Sequence, residues 1–462
     1  MLKVSLLKGA AIAALMISIL PSFAHSETLT DALLEAYRKN PTLNAARAGQ
    51  RAVDEDVPQA LSGWRPTVKA QGSVTASETY ANSLSTAYAD VANQQGNVTI
   101  QLDQPLFRGF HTVESTAVAE ATVKAGRQQL LSTEQSVLLN TVTAYVDILR
   151  DRRIVQLRQQ NLGVLQGQFR ATNERFKAGE LTRTDVAQAN AGIASAQAAL
   201  SLAIANAKTS EATFTQLVGH APGRLVPAPA AKEPKSLDAA YDIAHETNPN
   251  ILAAAQTAEA AEHNIGVANS GLLPQADLLG TYSYTSGQAE ASYGVSAGLT
   301  TSTAALEGVV TVPLYEGGLV YSQVRQAKQR ASQSRITVID ATRQVRQAVA
   351  AAWAGLLAAR QAAASNATSV SASQLAFQGM QQEYQVGSRS TIDVLNAEQT
   401  LLDAQIAQVS AQHDQLLASY ELQAAIGHLT AEHLGLFPVY DVKENYKQVR
   451  DKWIGTDADV LQ

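Results

Sequence analysis

Four segments of the chain alternate apolar and polar residues, the pattern expected of β-strands whose two faces meet different surroundings. In TVKAQGSVTAS, residues 67–77, every second residue is apolar or glycine. NVTIQLDQP at 97–105 alternates in the same way, whereas QADLLGTYSYTSG at 275–287 and EGVVTVPLY at 307–315 are less regular. We therefore predict two pairs of strands, each pair connected by a tip rich in Asn, Ser, Gly and Gln.

Two very long runs suited to helices follow the strand pairs. About 68 residues with no proline and almost no glycine separate Gly109 from Gly179, and an equal run separates Gly317 from Gly387. At 1.5 Å per residue, each run predicts a helix ~100 Å long. A return helix is predicted after each of these runs, the first over residues 181–218.

A shorter opening helix is predicted ahead of each strand pair, over residues 29–60 and 237–268, and ends near a Gly-x-x-Pro sequence. This helix would be ~48 Å long and the return helix ~57 Å long. The two short helices placed end to end therefore match one long helix. These lengths are those of two layers in one long cylinder.

The return helices carry apolar rows at heptad spacing, which is typical of coiled coils. Two such rows lie about 200° apart in the second helix, which therefore needs a neighbour on each flank, and helices packed in this way form a ring. A core helix of a large soluble bundle is the alternative, but the remaining faces carry Gln, Asp, Ser and His, which a fully buried helix would lack. The rows are Val186, Ile193, Leu200, Ala207 and Phe214; Ala189, Ala196, Ala203, Ser210 and Leu217; Leu395, Leu402, Val409 and Leu416; and Ala397, Ala404, Ala411, Ala418 and Ala425.

The two halves of the chain repeat one another at a constant offset of 208 residues. Asn40-Pro41 aligns with Asn248-Pro249, and QPLFRG aligns with VPLYEG. A linker with several prolines joins the halves, and a C-terminal segment is expected to pack around the waist of the cylinder and to end in disorder. The predicted units are a first repeat at 25–219, a linker at 220–236, a second repeat at 237–427 and a C-terminal segment at 428–462.

The N-terminus has the pattern of a secretory signal peptide. Lys3 and Lys8 precede and flank an apolar run of 12 residues, and PSFA follows. We predict a signal peptide over residues 1–24, cleaved after Ala24. An N-terminal membrane helix is the alternative, but it would need about 20 apolar residues.

Composition narrows the classes of function. The chain contains no cysteine, which excludes disulfides, thiolate chemistry and a lipid-modified N-terminal Cys. A net charge of -6 with scattered signs argues against nucleic acid as a partner. Without disulfides, stability must come from packing or oligomerisation, and aromatic residues at 5% are sparse for an ordinary globular core.

The predicted strands suggest assembly with copies of the same chain. Strands with one lipid-compatible face can span an outer membrane only as a closed barrel, and the smallest such barrels use about eight strands. A chain with four strands cannot close a barrel alone. An ordinary soluble pair of β-hairpins is the alternative that the pattern leaves open.

These landmarks together resemble the TolC family of outer-membrane efflux and type I secretion proteins, from Leu29 to about Gly455. The resemblance rests on the Asn-Pro signals, the QPLFRG and VPLYEG junctions, and the paired motifs RFKAGELTRTDVAQAN and EYQVGSRSTIDVLNAE. It implies a mainly α fold with β-strands, in which duplicated coiled-coil helices form an α-barrel. Four strands per chain would join a shared trimeric transmembrane β-barrel of 12 strands, above a tunnel of 12 helices that crosses the periplasm of a Gram-negative cell.

The resemblance also implies partners and a gate. The partners are a homotrimer, a periplasmic adaptor (membrane fusion) protein, an inner-membrane ABC or proton-driven transporter, and outer-membrane lipid. The paired motifs are placed at the periplasmic tip, where Gly179 and Gly387 allow the turns between helices. They occur twice because each chain contributes two hairpins to that tip.

Links between the hairpins hold the closed state in this family. The matching residues are Thr184 and Asp185 on one hairpin and Tyr384 and Arg389 on the other. An arginine–aspartate pair with a tyrosine hydroxyl can latch an element that has two states. Asp185 has a second interpretation, as an acid at a helix N-terminus favoured by the helix dipole.

The resemblance also predicts a constriction of the tunnel. Asp393 should point inward, so that three copies form a ring of carboxylates that attracts cations and raises the pKa of each member. The family has a second acid one turn further on, where this chain has Asn396. We therefore expect a weaker block by divalent cations.

No catalytic or cofactor motif stands out in the sequence. HLTAEH at 428–433 has a spacing that differs from both helical zinc motifs by one residue, and we interpret it as a helix end. We therefore expect no enzyme activity, no cofactor and no metal. The leading hypothesis is a passive exit duct in the outer membrane, with a soluble periplasmic coiled-coil scaffold and an exported enzyme as alternatives.

Overall fold

A computed structural model describes residues 26–83, 86–291 and 295–458, so the predicted signal peptide lies outside the described residues. Two repeats of helices and strands follow one another, as the sequence offset predicts. The helices are α1 (Leu29–Lys39), α2 (Pro41–Asp54), α3 (Asp56–Leu61), α4 (His111–Lys177), α5 (Arg183–Val218), α6 (Leu237–Thr247), α7 (Pro249–Ser270), α8 (Leu319–Gln385), α9 (Thr391–Ala425), α10 (Ala431–Leu434) and α11 (Glu444–Val449). The strands are β1 (Ser26–Glu27), β2 (Thr67–Ser83), β3 (Thr86–Arg108), β4 (Arg224–Leu225), β5 (Gln275–Ala291) and β6 (Val295–Thr311).

The four long strands form one antiparallel sheet in the order β2-β3-β5-β6. All four predicted strands are present, but only the starts of β2 at Thr67 and of β5 at Gln275 agree with the prediction, and the other six ends were wrong. Gln94, Gln95 and Gly96, which we expected in a tip, are paired within β3, and β6 ends at Thr311. The backbone ladder continues where the apolar alternation fades, because strand pairing depends on backbone hydrogen bonds whatever the side chains are.

The sheet has one apolar and one polar face, because residues paired across antiparallel strands point to the same side. Apolar side chains line one face and polar side chains line the other, with few exceptions. Two rows of the apolar face are Val68, Leu102, Gly280 and Leu306, and Ala70, Ile100, Tyr282 and Ala304; two rows of the polar face are Gln71, Thr99, Ser283 and Thr303, and Ser73, Asn97, Thr285 and Thr301.

Each opening helix is broken at its Asn-Pro sequence, so the prediction of one continuous helix over 29–60 and 237–268 was wrong. Asn40 has an extended backbone, with ψ at 123°, because the proline that follows disfavours helical geometry in the preceding residue. The Asn40 side chain accepts a hydrogen bond from the Thr42 amide at 3.0 Å and begins α2. It also donates to the Leu217 carbonyl at 3.0 Å, near the end of α5.

The second repeat has the same junction between its helices, at Asn248. The Asn248 side chain accepts from the Asn250 amide at 2.9 Å and donates to the Ala425 carbonyl at 2.9 Å. Each asparagine therefore joins the last turn of a return helix to the first turn of α2 or α7. This contact explains how two short helices stack end to end beside one long helix, as the lengths predict.

The long helices α4 and α8 contain 67 residues each, which confirms the predicted length. Laterally, the four tunnel helices lie in the order α5, α4, α9 and α8. Predicted heptad alanines are buried in both return helices, among them Ala196 and Ala411. Among the described residues, no helix combines the length and the apolar character that crossing a membrane requires.

The largest core lies around the middle of α4. Leu138, Tyr145 and Ile148 pack there against Phe214 of α5 and against α1. The Tyr145 hydroxyl donates to the Val226 carbonyl at 2.6 Å, so the linker between the repeats is held against the first one. Burial raises the pKa of Tyr145 to about 12. The C-terminal segment runs along α1 to α3.

Candidate functional site

The candidate site is the pair of turns at the end of the helices farthest from the sheet. Gly179 and Gly387 have φ values of 79° and 80°, in the left-handed region that glycine adopts without strain. The Glu180 amide donates to the Arg175 carbonyl at 2.9 Å, and the Ser388 amide donates to the Glu383 carbonyl at 3.0 Å. Each long helix therefore ends in a closed turn that reverses the chain.

The two return helices begin with matching capping boxes. Asp185 accepts hydrogen bonds from the Thr182 amide at 2.9 Å and from the Thr182 hydroxyl at 2.7 Å. Asp393 accepts from the Ser390 amide at 3.0 Å and from the Ser390 hydroxyl at 2.7 Å. These bonds favour the ionised acids, so the pKa values of both carboxyl groups lie below their ordinary range. Asp185 thus acts as a helix N-terminal acid in the single chain.

The four predicted latch residues lie at the two turns and the ends of the adjoining helices, and the expected pair between Arg389 and Asp185 is not formed in the single chain. Arg389 donates from Nε to Oε2 of Glu383 at 2.7 Å, rather than to Asp185. Thr184 is exposed in the first turn of α5. Tyr384 is buried, and its hydroxyl lies 3.5 Å from the hydroxyl of Thr391.

Tyr384 also joins the two hairpins of one chain. The guanidinium of Arg175, near the end of α4, lies 5.1 Å from the centre of the Tyr384 ring on α8. The predicted latch does not include this cation–π contact, because Arg175 belongs to the long helix and not to the turn. The tip is therefore cross-connected within each chain before any second copy is considered.

The two predicted constriction residues lie on successive turns of α9. Asp393 is half-buried, and the nearby positive charge of Arg389 contributes to lowering its pKa. Asn396 is exposed one turn later. In one chain the pKa of Asp393 is shifted downward, so the mutual raising expected of three carboxylates requires three copies.

A second link between the hairpins lies above the tip, where Asn161 of α4 donates from Nδ2 to Oε1 of Glu398 of α9 at 3.1 Å. Both side chains are buried. Burial raises the pKa of Glu398, and the hydrogen bond from Asn161 only partly opposes this shift. The link ties the two repeats together along the tunnel wall.

A third link, higher still, contains His413 of α9 and three charged residues of α4. His413 Nε2 lies 2.9 Å from Oδ1 of Asp147, and Arg150 pairs with that same oxygen at 2.8 Å. Asp151 accepts from Arg150 Nε at 2.8 Å and from the Ser210 hydroxyl of α5 at 2.5 Å. The cluster therefore connects α5, α4 and α9 through buried and half-buried polar groups.

The pKa values in this cluster shift in opposite directions. Burial alone would lower the pKa of His413, but hydrogen bonds to Asp147 and Asp414 raise it above its ordinary value. Burial alone would raise the pKa of Asp147, but the hydrogen bond from His413 and the charge of Arg150 lower it. The cluster thus favours the charged forms of both partners.

The sequence analysis did not identify Arg175, Asn161, Glu398 or His413. A signal for two of them was present, because Glu398 and His413 fall on the stripe of α9 formed by the heptad row of Leu395, Leu402, Val409 and Leu416. Polar residues on an apolar stripe need a buried partner. Their partners on α4 are more than 230 residues away in sequence. The pattern therefore indicates a buried contact but does not identify the partner residue.

The HLTAEH segment shows no arrangement for binding a metal. The rings of His428 and His433 stack, with centroids 4.1 Å apart, and Thr430 caps the short helix α10 between them. Across residues 26–83, 86–291 and 295–458, no three His, Cys, Asp or Glu side chains converge on a site for an ion. The segment lies after the end of α9 at Ala425 and leads into α10, and Glu134 of α4 accepts a hydrogen bond from the Ala431 amide at 2.6 Å.

Comparisons with known proteins give a consistent result. A family model described as outer membrane efflux protein matches residues 32–220 and 240–428, once for each repeat. The outer membrane efflux protein BepC of Brucella suis biovar 1 (strain 1330) is 42% identical over 434 residues, which cover 94% of this chain and 92% of BepC. The outer membrane protein TolC of Escherichia coli (strain K12) is 26% identical over 435 residues, covering 91% of this chain and 86% of TolC.

Solved structures agree on the fold. The CmeC outer membrane channel of Campylobacter jejuni superposes with a TM-score of 0.76 at 16% identity, over 92% of this chain and 89% of CmeC. The outer membrane protein VceC of Vibrio cholerae superposes with a TM-score of 0.72 at 21% identity, over 86% of this chain and 96% of VceC. These proteins are transport channels of the outer membrane and do not favour the scaffold alternative. The chain belongs to the outer membrane efflux protein family, and it is an exit duct of the outer membrane with a tunnel that extends into the periplasm.

Proposed function

We propose that three copies of the chain close into one duct, which passively conducts substrates of a tripartite efflux pump or a type I secretion system. Both the sheet and the row of tunnel helices have an element without a neighbour at each edge of the chain. In the sheet these edges are β2 and β6, and among the four tunnel helices they are α5 and α8. Joining each edge to the opposite edge of the next copy gives a barrel of 12 strands and a tunnel of 12 helices.

The observation that carries this proposal is the continuity of the sheet with the long helices. From Ala276 to Tyr284 the apolar face of β5 covers the nine residues that a tilted transmembrane strand requires. The opposite face is polar and suits a water-filled lumen. Arg108 ends β3 and His111 begins α4, so one uninterrupted wall passes from the sheet into a helix ~100 Å long.

The same family resemblance supports a periplasmic adaptor and an inner-membrane ABC or proton-driven transporter as partners, which would supply the energy. The tip has apolar surface for such a contact, since Val386 beside Gly387 is 80% exposed. The cargo class differs among relatives. One of them is the alkaline protease secretion protein AprF of Pseudomonas aeruginosa, 23% identical over 73% of this chain.

The tip residues are proposed to close this duct. Arg389 uses Nε for Glu383, which leaves its two terminal nitrogens for Asp185 and Thr184 of a facing hairpin. Tyr384, already stacked under Arg175, adds a hydroxyl at the same level. Asp393 would form a ring of three carboxylates in the lumen, with Asn396 in place of a second ring.

Single-channel conductance in a planar bilayer tests both the pore and its latch. We expect a small conductance for the wild type and a severalfold larger one for Arg389→Ser, because the substitution removes the cation that holds the hairpins. Arg335→Ser is the matched control, since Arg335 pairs with Glu262 at 2.7 Å on the exposed surface near the sheet end of α8. No conductance from verified inserted protein would contradict the duct, and equal conductance in all three would contradict only the latch.

A further inference from the structure

The C-terminal segment after α10 climbs along the opening helices toward the sheet. Contacts with the first repeat occur in the same order along the C-terminal segment and along the opening helices, so these two stretches of chain run parallel. The contacts are the Phe437 carbonyl with Arg38 at 3.0 Å, the Tyr440 ring with Arg47 at 5.0 Å, Asn445 with Asp54 at 2.9 Å and the Lys452 carbonyl with Arg65 at 2.9 Å. The end of the segment therefore lies beside the start of β2.

Arginines of the first repeat fix the aromatic residues of this segment. Arg127 of α4 lies 4.9 Å from the centre of the Tyr446 ring, and Arg65 lies 4.9 Å from the centre of the Trp453 ring. Arg65 also donates through NH1 to the Lys452 carbonyl. This double contact holds Trp453 at the level of Arg65, two residues before β2 begins at Thr67.

That level is the lower edge of the apolar face of the sheet. Val68 is the first residue of β2 on that face, and its partner Leu102 continues it on β3. Gln104 of β3 donates to the Trp64 carbonyl at 3.0 Å, which ties the turn before Arg65 to the same edge. The C-terminal residues are thus continuous with the surface that the outer membrane covers.

The side chains at this edge are apolar and uncovered in the single chain. Trp453 is 65% exposed and Ile454 is 90% exposed. Trp64, Leu106 and Phe110, which flank the start of β2 and the end of β3, are also exposed. Tryptophan is enriched at membrane–water interfaces, where its ring lies at the level of the lipid headgroups, and arginine also acts as an anchor there. An aqueous periplasm gives such a cluster no favourable surroundings.

We propose that Trp453 and Ile454, held in place by Arg65, dock the C-terminal segment into the periplasmic leaflet of the outer membrane. The occupant of this surface is the phospholipid layer at the boundary between headgroups and acyl chains. Arg65 stacks on the ring with one face and has N–H groups left for lipid phosphate. The proposal rests on the proposed membrane position of the sheet, and it makes the C-terminal segment a strap between the waist of the tunnel and the membrane.

Depth-dependent fluorescence quenching tests the proposal, because the chain has only three tryptophans. Trp64→Phe with Trp353→Phe leaves Trp453 as the reporter in the full-length protein, reconstituted in phosphatidylcholine nanodiscs. Lipids brominated near the headgroup should remove the larger part of its fluorescence, and lipids brominated near the chain end should remove less. The matched control keeps Trp353 alone, which packs beside the core of α8 and should not respond.

A reporter on the sheet separates failure of this proposal from failure of the proposed function. In a chain whose three native tryptophans are phenylalanine, Tyr282→Trp places the reporter on the apolar face, where deep bromines should quench it. If Tyr282→Trp is quenched while Trp453 is not, and acrylamide in water quenches Trp453 freely, the strap does not reach the membrane. If Trp453 is shielded from both quenchers, a second copy of the chain covers it and the proposal is also overturned. If Tyr282→Trp itself does not respond, the membrane position of the sheet is wrong.

The role of Arg65 has its own test in the chain with Trp453 as the only tryptophan. Arg65→Gln removes the cation above the ring and should reduce quenching by the shallow bromines. Lys69→Gln is the control, since Lys69 lies on the polar face of β2, whose side faces away from lipid. Unchanged quenching in Arg65→Gln would overturn Arg65 as the clamp.

Discussion

The two long helices have the same length and the same place in their repeats, yet their burial differs greatly. Twenty of the 67 residues of α4 are buried, against seven of the 67 residues of α8. The α4 helix packs against its own return helix, the opening helices, α7 and α9, while one flank of α8 has no neighbour from its own chain. Duplication has therefore produced two helices of equal length with unequal surroundings, and the uncovered flank of α8 supports the proposed contact with another copy.

Apolar side chains recur at a regular spacing on the exposed surface of α8. Ile339, Leu357 and Leu375 are exposed and spaced 18 residues apart, which is five helical turns, so they share one side of the helix. At the opposite edge of the chain, Leu202 and Ile204 of α5 are exposed as well. The difference between the two repeats supports the proposed packing of α8 of one copy against α5 of the next.

A charge on this stripe should have the largest effect. Leu357→Glu would place an unpaired carboxylate in each of three interfaces, and an uncompensated buried charge costs about 3–5 kcal/mol. We expect unheated trimers to disappear from gels of isolated outer membranes. Leu357→Met keeps the apolar volume and should leave the trimer intact. Trimers of normal heat stability in Leu357→Glu would place the interface elsewhere.

The His413 cluster lies among helices that already pack together in the single chain, and it predicts how stability depends on pH. Because the pKa of His413 is raised, its contribution to stability is fully present below an unfolded pKa of ~6.5 and is lost as the pH rises through the folded value. Because the pKa of Asp147 is lowered, its contribution is present above ~3.9 and is lost as the pH falls through the folded value. The cluster should therefore stabilise most between about pH 4 and 6.5.

The groups that face His413 are Asp147, Arg150 and Asp151 from α4 and Asp414 from α9. His413→Gln should lower the free energy of unfolding by about 1–3 kcal/mol near pH 6 and by less near pH 8. Thermal unfolding of both proteins across this range measures the difference. His433→Gln is the control, since His433 lies outside the cluster. An equal loss of stability at both pH values would contradict the linkage.

The smallest effects concern the turns, where both repeats are alike. Gly387→Ala should destabilise by about 1–2 kcal/mol, because alanine is strained in the left-handed conformation that φ of 80° requires. Gly379→Ala, eight residues earlier inside α8, has open space for a methyl group and should stabilise by about 0.5–1 kcal/mol. Both changes add one methyl group, and their expected effects on stability have opposite signs. Unfolding midpoints that move in the same direction would therefore contradict the assignment of the turn.

Much of this architecture could be predicted from periodicity. The offset between the repeats, the lengths of α4 and α8, and the two faces of the sheet all follow from residues that recur at fixed spacing. The break at Asn40 could not be predicted from periodicity, because the buried positions continue at helical spacing on both sides of it. Its cause is local, since Pro41 restricts Asn40, and its benefit is distant, since Asn40 caps the end of α5 at Leu217.

The tip shows where the sequence reaches its limit. Gly179 and Gly387 are identified by their spacing, because a reversal after a long helix needs a left-handed residue. The partner of Arg389 could not be identified from the sequence, because Glu383 and Asp185 are both acids and the arginine side chain is flexible. Arg175 and Tyr384 meet only because α4 and α8 end at the same height, which depends on the whole fold.

Cysteine cross-linking between the open edges of the sheet tests most directly that three copies complete the duct. The chain has no native cysteine, so every disulfide comes from the introduced residues. Gln71→Cys on β2 would be combined, one at a time, with cysteines at Thr301, Thr303 and Glu307 on the polar face of β6. We predict that one register yields covalent trimers as the largest product after oxidation in intact outer membranes, while each single cysteine yields none. Monomers in every register, from protein confirmed to be in the outer membrane, would contradict the closed trimer.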